Sequence, residues 1–203
     1  MKCGHFAIAV IPMRRARRFA AIAGMGLLLS ACGQYLGSYT VDGAHVATEL
    51  PKSTFGPAQP GRYLEIDLAS QTSLTAISSK VDGVYVDADF CPLRNPYALV
   101  AFGPYGDDGR DLGLPSNAAP LSPDRDGHFR YRVYIAIAFK PERATEPGQT
   151  PLPSYDLRGI NRDICVRLFA PGYNLIKSVS NTIKVPGSVI SRALKQGTVS
   201  GFH

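Results

Sequence analysis

The 203-residue chain contains no tryptophan, four histidines and four cysteines. It lacks a Gly-x-Ser-x-Gly elbow, a His-Glu-x-x-His pair and a glycine-rich phosphate loop. Those are the local patterns that place a serine nucleophile, a zinc-bound water or a nucleotide. The apolar run near the N-terminus, Phe19 to Ala31, is 13 residues long, whereas a membrane-crossing helix needs roughly 20. Helix signals are scarce elsewhere. These absences remove the easily recognised reaction classes. What the residues address instead is architecture and cellular location.

The charge balance needs a correction before it is used. Lys and Arg number 22 against 16 Asp and Glu, a net charge of +6, which by itself invites a nucleic-acid or anionic-surface reading. Five of the bases, Lys2, Arg14, Arg15, Arg17 and Arg18, precede residue 32, and no acid does. From residue 32 onward 17 bases face 16 acids. The basic excess belongs to the N-terminal segment, so no nucleic-acid partner is expected.

That segment has three parts in order: the arginines, the apolar run, then the small residues Ser30 and Ala31. A secretory signal has this layout, with an apolar part of about 7–15 residues. The tetrad Leu29-Ser30-Ala31-Cys32 at its end resembles the lipobox of bacterial lipoproteins. The resemblance covers residues 14–33. It implies that the Cys32 thiol carries a diacylglycerol, that the chain is cut before Cys32, and that the new amine is acylated. Gly33 stands where an aspartate commonly retains such proteins at the inner membrane. The implied location is therefore the outer membrane, facing the periplasm or the cell surface. A buried helix ending in a buried cysteine would leave the preceding arginines without a role. A twin-arginine signal would need flanking residues that are incomplete here. Met13 opens a compact signal by itself and is read as the start; residues 1–12 add a second apolar patch and Cys3 without clear use.

With Cys32 assigned to lipid, Cys91 and Cys165 remain downstream. Export places them in an oxidising compartment, where disulfides persist, and two cysteines allow one pairing. The closed loop of about 75 residues corresponds to roughly 4 kcal/mol in the chain-entropy model. The alternative is two buried thiols. A metal pair is disfavoured, because neither cysteine has a His or second Cys at ligand spacing.

Residues 32–61 are read as anchor and tether, rich in Gly, Pro, Ser and Thr, with a reach on the order of 30 Å as a flexible coil. Within it, Asp42-Gly43 carries a type I′ turn signal for a short hairpin. From Arg62 the pattern turns to period two. Leu64, Ile66 and Leu68 alternate with Tyr63, Glu65 and Asp67. Val84, Val86, Ala88 and Phe90 alternate with Tyr85, Asp87 and Asp89. Phe129, Tyr131, Val133, Ile135, Ile137 and Phe139 alternate with His128, Arg130, Arg132 and Tyr134. The runs 97–102, 163–170 and 175–186 continue the series. Alternation of this kind marks half-buried antiparallel strands. Several of them separated by turns predict an all-β antiparallel β-sandwich over 62–203, loosely immunoglobulin-like but without the tryptophan of true immunoglobulin domains. A short C-terminal helix is predicted over 188–197, with Ser188 as N-cap, Gly197 as C-cap, and Val189, Ala193 and Leu194 inward. Residues 70–80 read as a turn of helix or a further strand. The two connections 103–127 and 140–162 flank the strand at 128–139 and are long enough to be functional or disordered.

The residues that could carry chemistry are few. Asp124-x-Asp126-Gly127 opens like a calcium loop, with Asp107, Asp108 and Asp111 as helpers, but Val133 stands where an EF-hand needs glutamate. A tight turn before a strand is the simpler reading. A Ser-His-Asp site would need His128, which reads as the start of a strand. Glu65 and Asp67 share the polar face of one strand, where solvated charge is the default. Tyr155, Arg158 and Arg162 in the second long connection are residue types favoured as interface anchors, although a solvated loop has the same composition. Pro171-Gly172 reads as a hairpin turn. No cofactor is expected. The resulting expectation is a non-enzymatic envelope lipoprotein that holds an envelope protein partner. The alternatives are a periplasmic ligand-binding or enzyme-inhibitor module and, further off, a hydrolase.

Overall fold

The computed structural model describes residues 35–52, 60–78, 81, 83–95, 98–113, 119–140, 154–171 and 178–199. Cys32 and the signal layout lie outside the described residues, as do 53–59 of the expected tether. The chain is all-β and sandwich-like. One sheet is formed by β1 (Thr40–Glu49), β2 (Pro60–Ser70), β4 (Ala101–Gly106) and β5 (Phe129–Ala136), in the order β1-β2-β5-β4. The second has the order β10-β8-β3, from β3 (Tyr85–Phe90), β8 (Ile164–Ala170) and β10 (Ile183–Val185), with β9 (Ser178–Val179) also on β8. A two-residue pair, β6 (Ala138–Phe139) and β7 (Tyr155–Asp156), ties the ends of the second long connection together. All of these strand pairs are antiparallel.

The inward residues follow the predicted alternation. Leu64, Ile66 and Leu68 of β2 and Val133 and Ile135 of β5 are fully buried, and they share one core with Ala88, Ile164, Val166, Leu168, Ile183 and Val185 of the second sheet. The helix α1 (Leu74–Ser78) adds Leu74 and Ile77, and α2 (Gly187–Val199) adds Ile190, Ala193 and Leu194. Residues 70–80 thus contain a short helix.

Several expectations change. The tether reading of 32–61 does not hold for 40–49, which pair with β2 along their length as β1. The chain is already ordered at Tyr35, which bridges to Val179, and Leu36 is fully buried. The Asp42-Gly43 hairpin is absent: Val41 faces Leu68 and Gly43 faces Asp67, so Asp42 is the extra residue of a bulge. A glycine-containing bulge on an edge strand has the same local composition as a turn, which explains the misreading. β4 begins at Ala101 and runs on through Gly103 and Pro104 into the stretch read as loop. Proline is tolerated there because β4 is an edge strand and its register shifts between Phe102 and Tyr105.

The caps of α2 also differ. The Gly187 N–H donates to Asp163 Oδ1 at 2.8 Å, so the N-terminus is capped by a residue distant in sequence rather than by Ser188. Asp163 is held below the usual carboxylate range by Lys184, whose Nζ lies 2.6 Å from Oδ2, and then by that Gly187 bond. Gly197 lies within the helix and is not its cap. A Cβ on it would come within 2.5 Å of Val46 Cβ, so glycine here permits close packing of α2 on β1.

Cys91 and Cys165 form a disulfide with Cα atoms 5.0 Å apart. It joins the end of β3 to the start of β8, neighbours in one sheet, where the Cys91 N–H also donates to the Asp163 carbonyl.

Candidate functional site

Strand pairing sets out the outward face of the β1-β2-β5-β4 sheet in rows. His45 lies opposite Glu65, Glu65 opposite Tyr134, and Tyr134 opposite Phe102. In the next row Gly43 faces Asp67, Asp67 faces Arg132, and Arg132 faces Tyr105. One end of the face is aromatic. Tyr63, Tyr105 and Tyr134 are buried with Leu50, and edge-to-face contacts link Tyr63 to Phe102 at 5.7 Å and Tyr105 to Tyr134 at 5.4 Å. Burial, with Asp111 nearby, pushes the Tyr105 hydroxyl up to about 12. Burial, with Glu65 adding to it, does the same for Tyr134, again to about 12.

The other end of this face is charged. His45 Nε2 is 3.2 Å from Glu65 Oε2 and His45 Nδ1 is 3.4 Å from Asp67 Oδ2. Arg132 Nη1 is 3.7 Å from Glu65 Oε1, and its Nη2 donates to the Asp107 carbonyl. The Glu65 side chain is 8 % exposed, while that of His45 is 54 % exposed. Burial of a carboxylate on the outward face of a sheet requires compensation, and Arg132, His45 and the Tyr134 hydroxyl surround it. Among the described residues, His45, Glu65 and Asp67 are the group of metal-ligating side chains whose donor atoms lie within 4.8 Å of one another. The sequence reading missed His45 because it lay in the assumed tether. It took Glu65 and Asp67 for ordinary solvated charge. Continuing the strand alternation through the bulge at Asp42 would have placed all three on one face.

The Asp124–Gly127 stretch is a turn. Asp124 Oδ1 accepts the N–H groups of Asp126 and His128, each at 2.9 Å, and Oδ2 accepts from Arg130 Nε at 2.7 Å. The His128 and Arg130 bonds are the main reason this carboxyl lies below its ordinary range. Gly127 has φ +79°, which supports the turn. Arg130 also pairs with Asp42 of the β1 bulge. The oxygens of Asp124 are therefore committed to the turn and to Arg130. Asp107, Asp108, Asp111 and Asp126 do not join Asp124 in a metal-ligating cluster among the described residues. His128 enters β5 directly from this turn.

Tyr155, Arg158 and Arg162 have separate roles. Tyr155 packs on the core and its hydroxyl accepts the Val100 N–H at 2.8 Å; burial raises it to about 12. Arg162 lies over the Phe90 ring, 4.6 Å from its centroid, a cation–π contact. Arg158 is gripped by Asp156 through Nε and Nη2, at 2.9 and 2.6 Å, and this pulls the Asp156 carboxyl down to about 2. Arg158 also lines a cavity. A cleft of about 740 Å³ lies between the 157–161 segment and α2, floored by Leu157 and walled by Arg158, Asn161, Ser191, Arg192 and Lys195. Arg158 is already paired with Asp156, so the basic side chains the cleft adds are Arg192 and Lys195 of α2. A smaller cavity of about 440 Å³ lies between the start of β1 and β10. There the Asn181 side chain already accepts from the Tyr39 N–H and donates to the Tyr39 carbonyl, at 2.8 and 3.0 Å.

Among the described residues, these features define an all-β, disulfide-linked, sandwich-like chain with a polar cleft beside α2 and a mixed imidazole–carboxylate cluster. No protein-family model, curated protein or solved structure matches the chain.

Proposed function

We propose that the chain is a non-enzymatic lipoprotein of the cell envelope, held in the outer membrane through Cys32, whose β-sandwich serves as a protein-interaction module. The observation that carries this reading is the Leu29-Ser30-Ala31-Cys32 tetrad behind four arginines and an apolar run. The packing of the next residues adds to it: two residues, Gly33 and Gln34, separate Cys32 from Tyr35, which bridges to Val179, and Leu36 is fully buried. A partner would be met close to the membrane. The α2 wall of the cleft, with Arg192 and Lys195, supports an acidic segment as the recognised element.

The anchor is tested by fractionation and intact mass. The native chain should sediment with membranes and carry the added acyl mass on a chain beginning at Cys32. The Cys32→Ala variant should lose both. A Cys32→Ala chain that stays in the membrane at unchanged mass rejects the anchor. The module is tested by capture from solubilised envelope. A stoichiometric membrane complex that Arg192→Glu with Lys195→Glu abolishes supports it.

The alternative, a ligand-binding or inhibitor module, draws on the volume of the same cleft, which lies in the range of small-ligand sites. A soluble enzyme as the captured partner would favour it.

A further inference from the structure

We infer that the sandwich sits directly on the bilayer, with the corner around Tyr35 in the lipid headgroup layer and the cleft beside α2 turned away from it. The inference rests on the Cys32 anchor proposed above and gives that anchor an orientation.

The leash is short. Gly33 and Gln34 alone separate Cys32 from Tyr35. Three Cα–Cα steps span at most about 11 Å. With Cys32 acylated at the bilayer surface, Tyr35 stands within that reach of the surface.

The segment at Tyr35 is also fixed to the domain. Leu36 is fully buried, and its N–H donates to the Val179 carbonyl at 3.1 Å. The Asn181 side chain brackets the Tyr39 main chain. The Tyr39 hydroxyl donates to the Leu36 carbonyl at 2.8 Å, and Ser70 Oγ donates to the Ser38 carbonyl at 2.7 Å. A leash this short, on a segment held this firmly, leaves the domain little freedom to turn. The bilayer therefore meets the corner built from residues 35–40, 70–73 and 178–182.

The chemistry of that corner suits a headgroup layer. Tyr35 is 57 % exposed, the large hydrophobic side chain that stands open to solvent among the described residues. A tyrosine ring, apolar in body and polar at its tip, favours the membrane–water boundary. None of the residues in the three segments is charged, although charged residues make up 19 % of the chain. Ser38, Thr40, Gln71 and Thr182 are exposed there. Their hydroxyl and amide groups can bond lipid oxygens without the cost of desolvating a full charge. The charged turn at Asp124–Gly127 leads into β5, on the side of β2 away from β1.

The cleft lies at the other end of the strands. Tyr35 bridges to Val179, which faces Phe169 near the end of β8. Ile164, five residues back, is about 17 Å away along the strand. There Asp163 caps the start of α2. Near its far end α2 packs Gly197 on Val46, six residues along β1 from Thr40. An occupant of the cleft would arrive from the aqueous side.

The chain has no tryptophan, so one introduced indole reports alone. The test is the fluorescence of the full Tyr35→Trp chain, purified from cells and reconstituted in vesicles of phosphatidylethanolamine and phosphatidylglycerol. Its emission should shift to shorter wavelength, resist iodide, and lose most of its intensity to a lipid with a headgroup nitroxide. Phe90→Trp, at the opposite end of the β3-β8 pair, should keep its intensity with that lipid. If Tyr35→Trp alters the circular dichroism spectrum, Ser38→Trp reports from the same corner. Intact mass of the same sample reads the acyl groups. An acylated chain whose Tyr35→Trp emission stays open to iodide and untouched by the nitroxide overturns the inference and leaves the anchor standing. Equal quenching of both positions also overturns it. A chain without acyl mass rejects the anchor, and the inference falls with it.

Discussion

The outward faces of the two sheets solve the same problem differently. Each carries a carboxylate that alternation alone assigns to solvent, yet Glu65 is 6 % exposed and Asp87 is fully buried. On the β3-β8 pair the face is closed by direct cross-strand couples: Tyr85 with Phe169, Asp87 with Arg167 at 2.8 Å, and the Cys91–Cys165 bridge beside Asp89. On the β1-β2-β5 face the aromatic end is closed, and the charged end stays accessible through His45. The first arrangement seals its carboxylate from solvent, whereas the second is an ion-pair network with its imidazole half exposed.

The largest expected effect comes from the aromatic end. Tyr105 and Tyr134 are each raised from 10.0 to about 12 by burial. The folded state favours their neutral form, so this stability is complete below pH 10 and is lost as pH rises from about 10 through about 12. Linkage gives about 2 kcal/mol for each ring by pH 12. Denaturant melts across that window should show the loss, with tyrosinate absorbance appearing together with unfolding. Tyr134→Phe should remove its share of the pH dependence.

The disulfide is comparable in size to the two rings together. Replacing Cys91 and Cys165 together by alanine should lower stability by about 4 kcal/mol in the chain-entropy model, read as a shift in the urea midpoint. A negligible shift would mean that the outward face of β3-β8 is held by its other couples. Asp87→Ala should cost about 1–3 kcal/mol, because it leaves the Arg167 guanidinium without its carboxylate; Arg167 is 30 % exposed and can partly turn to water. His45→Ala should change stability by less than about 1 kcal/mol, since its contacts are solvent-accessible. A loss on the scale of Asp87→Ala would show that the charged end is a structural lock like its counterpart.

The legible part of the fold follows from periodicity. β2 and β5 are readable because five inward positions, Phe129, Tyr131, Val133, Ile135 and Ile137, recur at every second residue, and because Leu64, Ile66 and Leu68 repeat the pattern. The cysteine pairing was readable because two cysteines remained once Cys32 was set aside. β1 was hidden by its bulge, since Asp42 shifts the alternation by one residue and Gly43 resembles a turn. The Asp163 cap of α2 was hidden because its partner, Gly187, is distant in sequence. Of the three interface candidates, Arg158 reaches a cleft, whereas Tyr155 and Arg162 are engaged by Val100 and Phe90.

The sequence by itself determined the strand faces, the class of fold and the expectation of an exported, lipid-bearing N-terminus. All of these rest on short-range order: period-two alternation, or the succession of charge, apolar run and small residues. Only the tertiary structure decided that Glu65 and Asp87 are buried, that His45 joins Glu65 and Asp67, and that Arg158 shares a cleft with Arg192 and Lys195. Those facts depend on which strands pair, in what register, and on what covers their outward faces. They are set by residues far apart along the chain, beyond the reach of any local pattern.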